Sequence, residues 1–233
     1  MNEIEKTGQA EFDFAAPNPA QKEPSALPPF LRQEGFYFVA LGGAEKVGMN
    51  MYAYISDGRI IVVDAGYDFL NDDFPGMELG LADPAWLESY RDCIDAMFIT
   101  HSHEDHFGAI AHIWPRLRCP VYATDFTIGH ILPRLREYKL ENEVELISVN
   151  QNPVVKLPDF EVEYVPVVHS LPENSALRIK TKYGTVFHAT DWRFDDCHID
   201  FMKTSYDRLK QVGEQGVDLY VGDSIPVSYT HLT

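Results

Sequence analysis

Cysteine is scarce in this chain: its 233 residues include three, Cys93, Cys119 and Cys197. They are odd in number, widely spaced and never arranged as CxxC. That argues against a disulfide framework and a thiolate zinc site, and it suits a reducing, cytoplasmic setting. No long apolar run of transmembrane length occurs, so no membrane-spanning helix and no membrane association is expected. The opening residues Met1-Asn2-Glu3-Ile4-Glu5-Lys6 lack the basic-then-apolar pattern of a signal peptide. Positive charge is also short, with 19 Lys and Arg against 36 Asp and Glu and a formal net charge of −17. This counts against nonspecific binding to nucleic acid through a broad basic surface. It leaves room for a nucleic-acid enzyme, because bound divalent cations alter the field within a site. No internal repeat is visible.

What is present is a core-forming composition, 45% hydrophobic, distributed unevenly. Residues 1–33 carry Ala16-Pro17-Asn18-Pro19 and Pro24-Ser25-Ala26-Leu27-Pro28-Pro29 among polar residues. Such a stretch buries little apolar surface against its ordering entropy and is expected to be a disordered tail. Residues 34–225 read as one domain. Phe36 to Leu41 is a strand signal, and Met51 to Ser56 with Arg59 to Asp64 reads as a hairpin about Asp57-Gly58. A loop containing Pro75 and Gly76 follows, then a short helix near Pro84 to Tyr90 and a buried strand, Ala96 to Thr100. Ile110, Ile113, Trp114 and Leu117 recur at helical spacing, as do Ile128, Ile131, Leu132 and Leu135. Short strands are expected from Val121, from Val144 to Val149 and from Val154 to Val168. A hairpin about Tyr183-Gly184, a helix near Met202 to Val212 and a strand at Val217 to Val221 complete the domain. Hairpins mixed with helices indicate an α/β sandwich and not a doubly wound parallel sheet.

The chemistry concentrates in His101-Ser102-His103-Glu104-Asp105-His106. Three imidazoles and a carboxylate within six residues, directly after an apolar strand, give the ligand density of a metal site. In extended chain, residues i and i+2 project to one side, so His101 and His103 can reach one ion. Asp105 and His106 lie where the chain turns into a helix and could face a second. Apolar strands also end in Asp64, His169, Asp191 and Asp223. If these ends share one edge of a sandwich, His169 completes the first ligand set, Asp191 bridges two ions, and Asp64 orients a ligand imidazole from behind. Mixed imidazole and carboxylate donors suit zinc, with manganese as the alternative. The remaining histidines, His112, His130, His188 and His198, lack such context, and His188 is expected to point away from its strand's ligand side.

The segment His101 to His106 resembles the signature of the metallo-β-lactamase superfamily. Further stretches resemble ribonuclease J, of that superfamily's β-CASP branch: Leu41-Gly42-Gly43 through Gly48-Met49-Asn50-Met51, Val63-Asp64-Ala65-Gly66, Phe98 through Gly108, Cys119 to Thr124, His169-Ser170-Leu171-Pro172-Glu173, Gly184 to His188 and Asp191-Trp192-Arg193. The resemblance implies a metallo-β-lactamase-like αββα sandwich holding two zinc ions on His101, His103, Asp105, His106, His169 and Asp191, with Asp105 catalytic. It implies hydrolysis of RNA phosphodiesters in 5′-to-3′ exonuclease and endonuclease modes, RNA as partner, and a homo-oligomer for the full-length form. Asp223-Ser224 resembles the start of the β-CASP motif, so Asp223 is a supporting residue and the chain is expected to be truncated before the β-CASP domain. The tail Pro226 to Thr233 back-translates to a sequencing-adapter end and is expected to be non-native.

The chain departs from that family at Glu45, Lys46, Thr190 and the run Asp195-Asp196-Cys197-His198. Glu45 and Lys46 stand where its first loop carries a glycine and a glutamate, and Thr190 replaces the glycine before the bridging aspartate. These changes keep two other functions open: hydrolysis of a small ester, lactone or thioester, or a catalytically weakened paralogue that binds RNA or a nuclease.

Overall fold

Alternation along the strands builds the layers. In the strand Arg59–Val63, Ile60 and Val62 face one apolar cluster while Ile61 and Val63 face another, as a side-chain period of two requires. Both faces are therefore buried. The computed structural model describes residues 34–44, 46–70, 74–193 and 204–222. The expected tail at 1–33, the supporting Asp223, the adapter-like segment 226–233 and His198 all lie outside the described residues.

The first half runs β1 (Phe36–Gly42), β2 (Met51–Ser56), β3 (Arg59–Val63), β4 (Tyr67–Phe69), β5 (Leu79–Leu81), α1 (Ala85–Glu88) and β6 (Ile94–Phe98). Then come α2 (Glu104–Phe107), α3 (Ile110–Leu117), β7 (Val121–Ala123), α4 (Asp125–Glu137) and β8 (Leu146–Ser148). The second half is β9 (Val154–Lys156), β10 (Glu161–Pro166), β11 (Ser175–Lys180), β12 (Thr185–Thr190), α5 (Tyr206–Gln215) and β13 (Leu219–Gly222).

One sheet has the order β1-β2-β3-β6-β7-β8, and a second has the order β13-β12-β11-β10-β9. In the first, β1 to β3 are antiparallel and β3, β6, β7 and β8 run parallel. The parallel steps need crossovers, and helices α1 to α4 supply them. Those helices cover the outer face, where Ile110, Ile113 and Leu117 meet Ile60, Val62 and Met97. Between the sheets, Tyr54, Ile61 and Phe98 pack on Val162, Tyr164, Leu177 and Val186. Beyond the second sheet, Val165, Ala176 and Phe187 pack on Leu209 and Val212 of α5. The Arg208 guanidinium pins that helix by donating Nε and Nη2 to Glu163 at 2.5 and 2.6 Å. The order helix, sheet, sheet, helix is the expected αββα sandwich.

The Asp57-Gly58 hairpin forms as read: φ is 48° and 81° at its two turn residues, the double positive φ of a type I′ turn. Three readings need correction. The expected loop containing Pro75 and Gly76 is flanked by two strands that were not expected, β4 and β5, which pair with each other; strands of three residues leave too little alternation to detect. The strand read at 96–100 begins at Ile94 and contains a bulge, because Ile60 pairs with Ile94 while Ile61 pairs with Ala96. The extra residue, Asp95, puts Ile94 and Met97 on the same face despite their odd spacing. The last helix begins at Tyr206, four residues after Met202, and ends before Gly216 at φ 91°.

Phe98 is fully buried between the sheets, its ring stacked on Tyr122 at 5.2 Å. Phe98→Ala is expected to cost about 3–5 kcal/mol, measured by urea unfolding, whereas Val47→Ala at an exposed position should change stability by less than about 0.5 kcal/mol.

Candidate metal centre

Four strand ends meet on one edge of the sandwich. Asp64 directly follows β3, His101 follows β6 after Ile99-Thr100, His169 follows β10, and Asp191 directly follows β12. After His101 the chain stays extended to His103, with φ −80° and ψ 146°. The His103 carbonyl then accepts from the backbone N–H groups of His106 and Phe107 at 2.9 and 3.0 Å, which coils α2 and turns Asp105 and His106 back toward the strand ends. Gly66 permits this approach. A Cβ there would lie 1.6 Å from the Asp105 carbonyl oxygen, and the neighbouring Ala65 N–H donates to the His106 carbonyl at 2.7 Å.

The result is two ligand groups sharing one residue. The donor atoms of His101, His103, His169 and Asp191 lie within 4.8 Å of one another, as do those of Asp105, His106 and Asp191. His101 Nε2 and His169 Nε2 lie 3.0 and 3.1 Å from His103 Nδ1. Nitrogens each 2.0–2.1 Å from a tetrahedral zinc would stand roughly 3.3–3.4 Å apart, within a few tenths of an ångström of these two distances. In the other group, His106 Nε2 lies 3.5 Å from Asp105 Oδ2 and 3.5 Å from Asp191 Oδ1, while Asp191 Oδ2 lies 3.5 Å from His169 Nε2. The two carboxylate oxygens of Asp191 thus face different groups. The residue set chosen from sequence comes together, and its donor chemistry fits two divalent cations.

Behind the candidate ligands sits Asp64, fully buried. Its Oδ1 accepts from the Thr100 N–H at 2.8 Å; its Oδ2 accepts from Thr100 Oγ1 at 3.0 Å and pairs with His106 Nδ1 at 2.8 Å. Behind His103, Ser170 Oγ lies 3.0 Å from Nε2, so Nδ1 is the nitrogen turned inward.

Electrostatics separates the imidazoles. Burial pushes His101 well below the usual histidine range, and the neighbouring rings of His106, His103 and His169 add to it. Burial also lowers His103, and lowers His169 to about 4. For His106, burial opposes charge, but Asp64 and Asp191 outweigh it and raise the group to about 10. Asp191 shows the reverse balance: burial favours its neutral form, yet His106, His169 and His103 hold its carboxyl below the usual range. An ion entering between His106 and Asp191 would displace the proton they favour.

Five residues near the site were not singled out as site residues from the sequence. Asn50 Nδ2 lies 3.1 Å from His106 Nε2 and 3.4 Å from Asp105 Oδ2, and Tyr52 donates its hydroxyl to Asn50 Oδ1 at 2.8 Å. Only its place in the Gly48-Met49-Asn50 stretch hinted at this. Thr100 and Thr190 also stand behind the ligands, and their hydroxyls lie 3.0 Å apart. His188 does not point away as expected: it lies between the sheets, with Nδ1 2.9 Å from the Tyr54 hydroxyl. It also lines a cavity of about 400 Å³ that opens beside Asp105, His106 and Asp191, with Phe38, Lys46 and Tyr52 on its walls. The reason for the reversal is backbone conformation. Thr190 has φ 54° and β12 is irregular against β13 between His188 and Thr190, so counting alternation through to Asp191 fails.

An αββα sandwich with a shared-carboxylate cluster of imidazoles at its strand ends defines the metallo-β-lactamase fold. Residues 59–208 match the family described as Beta-lactamase superfamily domain, and the chain belongs to that superfamily. It is 39% identical over 197 residues to "Ribonuclease J" of Sinorhizobium meliloti, covering 83% of this chain and 35% of that protein. It is 36% identical over 200 residues to "Ribonuclease J" of Mycolicibacterium smegmatis, covering 85% and 36%. The chain thus spans about a third of the length of these curated relatives. Among solved structures, the metallo-beta-lactamase fold protein YhfI from Bacillus subtilis superposes with a TM-score of 0.51 at 18% identity, covering 68% of this chain and 63% of that one. That likeness concerns the fold alone. No helix among the described residues is long and apolar enough to cross a membrane.

His188 gives this site a measurable pH signature. It is 3% exposed, and burial lowers it to about 4. Between about pH 6.5 and 4 the unfolded chain therefore binds a proton that the folded chain refuses, so this group makes stability fall as pH falls. Taking 1.36 kcal/mol per unit, wild type should lose about 3 kcal/mol more than His188→Gln between pH 7 and pH 4, read from denaturant unfolding of both proteins across that range.

Proposed function

We propose that this domain is the metal-dependent catalytic part of a ribonuclease J-like hydrolase that cleaves RNA phosphodiesters in exonuclease and endonuclease modes. The observation that carries the proposal is Asp191, whose two oxygens face two separate ligand groups in a chain whose curated relatives include several named Ribonuclease J. His101, His103, His169 and Asp191 would hold one zinc ion, and Asp105, His106 and Asp191 the other, with manganese as the alternative. When bound, such a pair supplies Lewis-acid polarisation of a phosphoryl oxygen and activation of a water.

The protein's own groups do the rest. The Asp105 carboxylate is 35% exposed, the most open of its ligand group, and borders the cavity. It would orient the attacking water and accept its proton at Oδ2, with Asn50 Nδ2 steadying that oxygen. Asp64 holds the His106 ring from behind. Phe38, Tyr52 and His188 shape the wall against which substrate lies. The proton for the leaving oxygen would come from the portion these relatives have beyond the matched third, a β-CASP domain by resemblance, in a cytoplasmic, homo-oligomeric full-length protein. The free, buried Cys93 and Cys119 accord with a reducing setting.

A second reading, hydrolysis of a small ester, lactone or thioester, is favoured by Thr190 and Lys46, which change the cavity wall where the ribonuclease family carries other residues. The two separate on substrate. Full-length protein with zinc or manganese is expected to degrade 5′-monophosphorylated RNA, to stop on chelation, and to lose roughly 10²–10⁴-fold in rate with Asp105→Asn. RNA left intact by a protein that turns over a thioester or lactone would establish the second reading.

A further inference from the structure

The hydroxyl of Thr100 has three polar neighbours in a fully buried setting: Asp64 Oδ2 at 3.0 Å, His101 Nδ1 at 3.0 Å and Thr190 Oγ1 at 3.0 Å. A hydroxyl offers one hydrogen and two lone pairs. As a carboxylate, Asp64 only accepts, so the Thr100 hydrogen goes to it. Both remaining neighbours must then donate to Thr100. Thr190 gives its hydroxyl hydrogen, and His101 gives an Nδ1–H. Every donor and acceptor position on Thr100 is thereby used.

We propose that Thr100 and Thr190 are positioning residues that relay the charge of Asp64 to His101, fixing that imidazole as the Nδ1–H tautomer with its Nε2 lone pair turned into the ligand group. His106 receives the same instruction directly, because its Nδ1 lies 2.8 Å from Asp64 Oδ2. One carboxylate therefore sets the ring protonation of a ligand in each group, His106 by contact and His101 through a threonine. The inference rests on the metal-centre reading above and adds a device to it.

The backbone supports a dedicated role for Thr190. It sits at φ 54°, a region that β-branched residues avoid. Such a conformation persists where the surroundings over-determine it. Thr190 is 4% exposed, and its hydroxyl reaches Thr100 from there. The Thr190 hydroxyl is thus a third anchor on the Thr100 rotor.

Long-range ¹⁵N–¹H spectra of the metal-free chain read the tautomer of each histidine without reference to activity. Wild-type His101 is expected to carry its proton on Nδ1. Thr100→Val keeps the backbone N–H to Asp64 but removes the hydroxyl. His101 should then populate the Nε2–H form, and zinc affinity measured by chelator competition should fall about tenfold or more, with His106 unchanged. Thr100→Ser should restore both. Thr190→Val should shift the His101 signal in the same direction by less, and Thr190→Ser should restore it. Wild-type His101 protonated on Nε2 would overturn the proposal, as would Thr100→Val with unchanged tautomer and zinc affinity. Should Thr100→Val not fold, the wild-type spectrum and the Thr190 pair decide. Failure of wild type to take up zinc would instead refute the metal reading, while the His101 spectrum would still judge the relay.

Discussion

The carboxylate of Asp64 is the interaction on which the rest of the site depends. It is fully buried, where an unpaired charge is strongly unfavourable. Three contacts compensate for it: the Thr100 N–H, the Thr100 hydroxyl and His106 Nδ1. Its backbone φ of 62° falls in the left-handed region, which aspartate tolerates better than most residues. Its N–H donates to the Phe98 carbonyl at 2.9 Å. One residue thus ties the end of β3 to the end of β6 and to α2. Truncating it would leave a buried N–H and an imidazole without partners, an asymmetry that costs more than the bonds themselves contribute.

The sandwich places the centre through the same logic. Residues between the sheets, such as Ile61, Val63 and Phe98 on one side and Val162, Tyr164 and Leu177 on the other, fix the spacing of the two layers. The candidate ligands lie just beyond that packed region: His101 and His103 after β6 of the first sheet, Asp105 and His106 on α2, and His169 and Asp191 after β10 and β12 of the second. A rigid layer pair holds loops that carry the chemistry, a usual division of labour. The strain at Thr190, on the order of 1–3 kcal/mol for such a conformation, sits at the shared carboxylate and not in the packed layers.

Much of this was legible in the residues. The density of His101 to His106 and the apolar strands ending in Asp64, His169 and Asp191 pointed to the convergence of these residues, which the structure shows, because strand ends on one edge of a sandwich have few places to go. The αββα order followed from hairpins mixed with amphipathic helices. What the residues hid were features that break a period. The bulge at Asp95 and the positive φ at Thr190 each insert a reversal that counting by twos cannot see, and the second concealed His188. Asn50 and the threonine hydroxyls were invisible for another reason: short polar side chains in loops are common, and only their distances to the ligands distinguish them. The three-residue strands β4 and β5 were too short to announce themselves.

At the core of the proposed function, the Asp191 carboxylate would join two cations. Metal analysis with isothermal zinc titration of wild type and of Asp191→Ala tests it most directly. Two ions per wild-type chain are expected, with both sites weakened together in the variant. A single ion per chain, or a variant in which one site binds zinc as tightly as wild type, would contradict it.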